Sequence, residues 1–104
     1  MASIIFTAPR HLDPSEVMSW APGVLFVPNR LHNLYAGDFV YVCNRNRVLF
    51  RAKYEKPVWL ERKDTVDGEH IGPGWALKVG EPEFPPHDII RQCSRLKYVY
   101  EELW

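Results

Sequence analysis

The fold is decided by residues 39–54, which read FVYVCNRNRVLFRAKY. Side chains on a strand alternate between its two faces, so Phe39, Tyr41 and Cys43 are predicted on one face of a first strand. In the second strand two sets of residues alternate, namely Val48, Phe50, Ala52 and Tyr54 with Arg47, Leu49, Arg51 and Lys53. The polar segment 44–46 between them suits a tight turn. The pattern therefore predicts an antiparallel hairpin.

Short apolar runs outside the hairpin predict further strands. These strands cover residues 3–7, 24–27, 75–79 and 96–101, and residues 57–60 are expected to extend the second hairpin strand irregularly. Residues 61–74 are polar and contain glycines, so they are predicted to form a loop.

Two short helices are predicted between the strands. Asp13 suits the cap of the first, over about residues 14–20, with Pro14 in its first turn and Glu16 three residues after the cap. The second is predicted over about residues 87–93. The polar segment 29–36 has room for one further helical turn.

The order of these elements predicts an α+β domain. Helices this short do not suit a parallel doubly wound sheet, whose crossovers need more helix. We therefore predict a small, curved, mostly antiparallel β-barrel of five to six strands with two or three short helices. At 104 residues the chain suits a single domain over residues 1–104.

The composition narrows the class of protein. The chain is 46% hydrophobic and 13% aromatic, which is too apolar for a disordered chain, and no apolar run reaches the roughly 20 residues that span a bilayer. The first residues do not resemble a signal peptide, so we expect a cytoplasmic protein with Cys43 and Cys93 reduced and no membrane partner. The histidines lack metal-ligand spacing and no nucleotide-cofactor fingerprint is present, so neither a metal nor a cofactor is expected.

The charges are unevenly distributed although the net charge is zero. Residues 30–63 hold eight basic and three acidic side chains, whereas residues 64–88 hold six acidic side chains and Lys78 alone as a base. The basic stretch can form a local positive patch, or its charges can be ordinary solvated strand faces.

Three segments carry a family likeness. Residues 34–42 (LYAGDFVYV) contain a Gly-Asp entry into a central strand, residues 28–31 (PNRL) place a basic residue just before it, and residues 89–96 (IIRQCSRL) contain an Arg-Gln-Ser-Arg-Leu stretch interrupted by Cys93. Together they resemble the PUA-like superfamily and its small EVE and ASCH domains. The resemblance implies a barrel that binds RNA or a modified DNA base in a cleft beside it, and it adds Asn29 and Arg30 as binding residues.

Candidate binding residues follow from the way proteins hold a single-stranded or flipped base, with aromatic stacking and with cations on the phosphates. Trp75 follows Gly-Pro-Gly at the mouth of a strand, where an indole can line a pocket. The predicted polar strand face supplies cations at phosphate-like spacing, and the predicted second helix ends in arginines beside a serine. The full predicted set is Asn29, Arg30, Arg45, Arg47, Arg51, Lys53, Trp75, Arg91, Ser94 and Arg95.

Each candidate also has a purely structural explanation. Trp75 can be a core residue, because an indole buries a large area. The basic strand face can be a solvated face or a guard against edge-to-edge aggregation. Arg91 and Arg95 can be charges placed against a helix C-terminus.

We predict a nucleic-acid-binding module for RNA or DNA rather than an enzyme. Two alternatives stay open at this point. A small enzyme acting on a modified nucleoside or nucleotide needs a pocket with a buried Asp, Glu or Lys of shifted pKa. A protein-interaction or homodimerisation domain needs a large exposed apolar patch, for instance around Tyr100 and Trp104.

Overall fold

The computed structural model describes residues 3–26, 34–61, 63–64, 70–71, 74–91, 97–99 and 102–104. Its elements are strand β1 (Ser3–Thr7), helix α1 (Pro14–Met18), and strands β2 (Gly23–Phe26), β3 (Phe39–Asn44), β4 (Arg47–Leu60), β5 (Lys63–Asp64), β6 (His70–Ile71), β7 (Gly74–Val79) and β8 (Lys97–Val99). Each predicted strand has a counterpart among them. No helix in the described ranges is long and apolar enough to cross a membrane.

Six of the strands form one sheet in the order β2-β7-β4-β3-β1-β8. β1 and β3 run parallel, and the other neighbours run antiparallel. The predicted small, mostly antiparallel, sheet-rich domain with little helix is therefore confirmed. Among the described strands β2 and β8 lie at opposite edges of the sheet, so the predicted barrel closure is not confirmed.

Strand β4 is the longest strand of the sheet and lies between β7 and β3. Its first half pairs with β3 and its second half with β7, with a register shift between Tyr54 and Lys56. Beyond β7 the chain continues along the same edge of β4, where Arg51 pairs with Glu83 and Arg47 with Ile90 in isolated bridges. β4 thus has partners on both sides along its first half, and β7 as its partner along its second half.

The β3–β4 hairpin closes with a two-residue turn. Arg45 and Asn46 both have positive φ angles, 53° and 61°, as a type I′ turn requires at its two central positions. The predicted hairpin is confirmed. Asparagine and glycine are the residues that favour this conformation, so an arginine at the first position is unusual.

A bulge near the start of β4 changes which side chains share a face. Val42 pairs with Phe50 but Cys43 pairs with Val48, so Leu49 is an extra residue in β4 and is buried. Because side chains alternate on either side of the bulge, Arg51 lies on the face of Tyr41 and Cys43, while Arg47 lies on the face of its partner Asn44. The prediction that Arg47, Arg51 and Lys53 share one polar face is therefore wrong.

Both faces of the sheet are covered by apolar residues. The first core cluster includes Ile4 and Val42 from the sheet, Leu25 from β2 and Val17 from α1. The second lies on the other face and is built from five buried residues, Ile5, Tyr41, Cys43, Val48 and Val99. Leu103 and Trp104 pack against this second cluster from outside.

Residues 35–38 show why the chain enters β3 through Gly-Asp. Gly37 has φ of +96°, a conformation that L side chains rarely adopt. Its N–H donates to the carbonyl oxygen of Tyr54 at 2.9 Å, and the buried carboxylate of Asp38 accepts from the Tyr35 N–H at 2.9 Å. The Gly-Asp pair therefore has a structural role at the end of the hairpin.

The first predicted helix is confirmed. The second is wrong over residues 87–91, the part of it that the structure describes. α1 begins after Asp13, whose carboxylate accepts from the Ser15 N–H at 3.1 Å, and has Pro14 in its first turn. Residues 87–91 are not helical, because their backbone pairs with β4 instead and the Val48 N–H donates to the carbonyl oxygen of Ile89 at 3.0 Å. Residues 92–93 lie outside the described ranges.

Two further expectations about local structure have mixed outcomes. Within the predicted loop 61–74, β5 and β6 pair in a two-stranded ladder, so that expectation is only partly right. Of the segment 29–36, for which one helical turn was suggested, the described residues 34–36 are not helical.

Replacement of Asp13 tests the cap of α1. Asp13→Ala removes the acceptor for the Ser15 N–H, and we expect the Tm to fall by a few degrees in a thermal melt followed by circular dichroism. Asp13→Asn is the matched control, because asparagine caps a helix equally well, and it should leave the Tm nearly unchanged. An equal loss in both variants would contradict the capping role.

The pH dependence of the same residue supplies a second check. Hydrogen bonds from the Ser15 N–H and hydroxyl, and the nearby charge of Arg45, hold the pKa of the Asp13 carboxyl below its ordinary value. A lowered folded-state pKa stabilises the protein above about pH 4 and this stabilisation is lost as the pH falls through the lowered pKa. The Tm of Asp13→Asn should lack this component of the acid dependence.

Candidate functional site at the hairpin turn

A cleft of about 560 Å³ opens beside the turn of the β3–β4 hairpin. It lies between three parts of the chain: the hairpin end, helix α1 and the segment 84–88. Its lining residues are Pro14, Met18, Asn44, Arg45, Arg47, Val48, Leu49, Phe84, Pro85 and Asp88. Its size falls within the roughly 300–1,000 Å³ of small-molecule pockets.

Asn44 provides a buried polar group in the lining of this cleft. The residue is 1% exposed, and its Nδ2 donates to the carbonyl oxygen of Pro9 at 3.0 Å. Its Oδ1 is buried and accepts no hydrogen bond in the described structure. A buried acceptor without a partner costs about 1–3 kcal/mol, so such atoms often mark a place where a ligand or water binds.

Two arginines give the cleft positive charge. The Arg45 Nε donates to the carbonyl oxygen of Arg10 at 3.0 Å, which directs the side chain across the turn. The exposed guanidinium of Arg47 makes no hydrogen bond or ion pair with any described residue. Asp88, also exposed, is the acidic residue of the lining.

Two large apolar side chains are exposed in the walls of the cleft. Phe84 is 56% exposed and Met18 is 37% exposed. An aromatic ring and a flexible thioether present surfaces against which a flat apolar ligand can pack. The cleft thus combines apolar walls, two cations and a buried acceptor.

Arg51 lies away from the cleft and is held by internal contacts. Its side chain is 14% exposed and forms an ion pair with Glu83 at 3.1 Å. Its Nη1 donates to the carbonyl oxygen of Trp104 at 2.6 Å, and its guanidinium carbon lies 4.1 Å from the ring centre of Phe39 and 4.7 Å from that of Trp104. This arrangement joins the sheet to the segment before β8 and to the last residues.

Lys53 and Trp75 lie elsewhere too. Lys53 lines a separate, shallower cavity of about 530 Å³ together with Glu55, Glu81 and Glu83, which is an acidic setting. Trp75 packs against the first core cluster and meets Trp59 edge-on, with ring centres 5.1 Å apart. This pair lies at the opposite end of β4 from Arg47.

The structure therefore brings together only part of the predicted site. Arg45 and Arg47 line the cleft, and Arg91 comes near the turn because its N–H donates to the carbonyl oxygen of Asn46 at 2.9 Å. Asn29, Arg30, Ser94 and Arg95 lie outside the described residues. Nucleic-acid binding by any residue of the predicted set stays a prediction.

Sequence reasoning missed the other eight lining residues of the cleft, among them Met18, Asn44, Phe84 and Asp88. Asn44 was assigned to the turn, which gave no sign that its amide is buried. Phe84 and Asp88 reach the cleft because residues 83–91 run along β4, a segment that the sequence presents as a proline-rich connector followed by a helix, whereas Met18 reaches it from α1. No local pattern signals such a pairing.

Asp38 and Trp104 bear on the two alternative functions, and Tyr100 lies outside the described residues. The buried acid Asp38 is bonded within its own turn, away from the cleft. Trp104 is only partly exposed, since its ring packs edge-on against Tyr41 with centres 5.4 Å apart. Among the described residues no group of three or more His, Cys, Asp and Glu side chains is placed to hold a metal ion.

Comparison of the chain with protein-family models, with curated proteins and with solved structures gives no match.

Replacement of Arg51 tests its assignment as a structural residue. Arg51→Ala removes the ion pair, the hydrogen bond to Trp104 and both ring contacts, and we expect the free energy of unfolding to fall by about 2 kcal/mol. Lys53→Ala is the matched control, an exposed base on the same face of β4, and should stay within about 0.5 kcal/mol of wild type. Urea unfolding followed by tryptophan fluorescence measures both. Equal stability of the two variants would refute the assignment.

Proposed function

We propose that this chain is a cytoplasmic nucleic-acid-binding module that holds one base of RNA or DNA, including a modified base, in the cleft at the hairpin turn. The observation that carries the proposal is the position of Arg45 and Arg47 at a cleft of small-molecule size that also has a buried unpaired acceptor in its lining. The base would pack between apolar walls while the arginines contact the flanking phosphates.

The charge distribution supports separate roles for the apolar walls, which pack on the base, and the arginines, which contact phosphates. The protein is neutral overall, so long-range attraction to a polyanion is weak. Affinity must then come from a few local contacts and from base packing, each stacked base contributing about 1–3 kcal/mol. Arg47 is suited to phosphate contact, since its charge is exposed and not engaged by any described side chain.

The choice of a base rather than another flat ligand rests on the combination of groups. Stacking surfaces, guanidinium groups and a buried hydrogen-bonding amide are the features by which single-stranded or flipped bases are held. Such a ligand presents a flat apolar body, an anionic backbone and a polar edge, and the cleft has a counterpart to each.

We also propose that the domain is PUA-like, with a sheet that curves toward closure. Leu25 of the edge strand β2 shares the first core cluster with Ile4 of β1, and Tyr98 of the opposite edge strand β8 packs against that cluster. Both edges of the sheet thus contribute to one apolar interior, as in a strongly curved sheet. The family likeness of residues 34–42 points the same way.

Replacement of the two cleft arginines tests the proposal. Arg45→Asn removes a charge while placing a residue that favours the positive φ of the turn, so the fold should be kept. Arg47→Gln removes the other charge at an exposed position. We expect each variant to weaken binding of a fluorescent single-stranded oligonucleotide several-fold, measured by anisotropy, and to reduce the slope of log affinity against log salt by about 0.7.

Lys56→Gln is the matched control for these variants. It removes one exposed positive charge from the same strand, where Lys56 pairs with Lys78 of β7 far from the cleft. Its affinity should stay within about twofold of wild type, as expected for a charge more than a Debye length from the site. If both arginine variants bind the oligonucleotide as wild type does and Lys53→Gln binds it less tightly, the cleft is not the binding site and the interface lies on the other face of β4.

A further inference from the structure

We infer that the cleft prefers a base that carries an exocyclic amine, such as cytosine or adenine, over uracil or thymine. This inference rests on the proposed function and specifies its ligand. The observation behind it concerns the polar side chains of the described lining residues. Apart from the arginines, the side-chain groups that have no described hydrogen-bond partner are all acceptors.

The first acceptor is Oδ1 of Asn44. The orientation of the amide is set by its Nδ2, which donates to the carbonyl oxygen of Pro9 at 3.0 Å, so rotating the amide by half a turn would bring two oxygens together. Asn44 is also the last residue of β3 and pairs with Arg47, which fixes its backbone. The amide therefore offers the ligand an oxygen and not an N–H.

The second acceptor is the carboxylate of Asp88, which also lines the cleft. An ionised carboxylate accepts hydrogen bonds and donates none. The N4 amine of cytosine and the N6 amine of adenine are donors that pair with carboxylate and amide oxygens in protein–nucleic-acid complexes. With Asn44 and Asp88 both lining the cleft, an amine entering it finds two oxygen acceptors among the lining side chains.

Uracil and thymine present the opposite chemistry at the corresponding position. Their O4 is a carbonyl oxygen, which accepts and cannot donate. Placed beside the Asn44 oxygen it would repel it and leave the buried acceptor unpaired. A site built to bond a donor rejects an analogue that lacks it, because the buried polar group then stays unsatisfied.

Access to the Asn44 oxygen needs a side chain that can shift. The Asn44 oxygen is shielded from solvent, so a ligand reaches it only if a neighbouring side chain shifts. Met18 ends the short helix α1, lines the same cleft and is partly exposed. Its unbranched side chain adopts other rotamers at little cost, so the cleft can open at this point without movement of the sheet.

Anisotropy titrations with labelled oligo-C, oligo-A and oligo-U of equal length, at one salt concentration, test the inference. We expect oligo-C and oligo-A to bind about tenfold more tightly than oligo-U. Asp88→Ala should reduce this ratio while raising the affinity for oligo-U, because a negative charge beside the arginines is removed. Glu81→Ala, which removes an exposed acid from the other cavity, is the matched control and should leave the ratio unchanged.

Asn44 is tested by two variants, since loss of a buried amide can also affect folding. Asn44→Ala should abolish the preference, whereas Asn44→Ser keeps a hydroxyl oxygen that can accept a hydrogen bond without burying a charge, and should retain part of it. A Tm measurement shows whether each variant is folded.

The outcomes separate the inference from the proposed function. Equal binding of the three oligonucleotides, or tighter binding of oligo-U, overturns the inference and leaves the proposed function standing. No binding of any of them overturns the proposed function and the inference with it.

Discussion

Backbone hydrogen bonds along both edges of β4 determine where the rest of the described structure lies. On one edge β3 is joined through a two-residue turn, and β3 in turn positions β1 and β8. On the other edge the chain from Gly74 to Ile90 follows β4 in the opposite direction, first as β7 and then in isolated bridges. Where this chain leaves β4 between its two bridges, residues 84–88 form one wall of the cleft. The cleft is thus a consequence of incomplete pairing along one strand.

The bulge at Leu49 determines which face of β4 each of its two arginines occupies. Before it, Arg47 belongs with Asn44 and the cleft. After it, Arg51 belongs with Tyr41 and the second core cluster, where it is enclosed by Phe39, Glu83 and Trp104. Because of this one extra residue, two arginines only four positions apart lie on opposite faces of β4. Arg47 is exposed to solvent, whereas Arg51 is held by contacts within the protein.

Local patterns were sufficient to predict most of the framework. Apolar runs located the strands, Asp13 and Pro14 located α1, and the alternation in residues 39–54 located the hairpin. The site was less accessible to sequence reasoning. A period-two pattern carries no sign of a bulge, so the sequence predicts the wrong face for Arg47. The sequence also does not show whether an arginine is exposed to solvent or, like Arg51, forms an ion pair with Glu83. Residues 87–91 have a helix-like composition, yet the open edge of β4 provided backbone partners that outweighed it.

The position of β1 has a consequence for how the chain acquires its fold during synthesis. β1 lies between β3 and β8, so it pairs on one side with residues 97–99, which are synthesised about 90 residues after it. Until then one edge of β1 has unpaired backbone groups, and part of the cover over Ile5 is missing. Such an edge is a site where nascent chains associate with one another. Co-translational folding can complete the hairpin and α1 early, but the second core cluster gains its full cover only after β8 has been synthesised, which makes this interval the one in which a chaperone would be most useful.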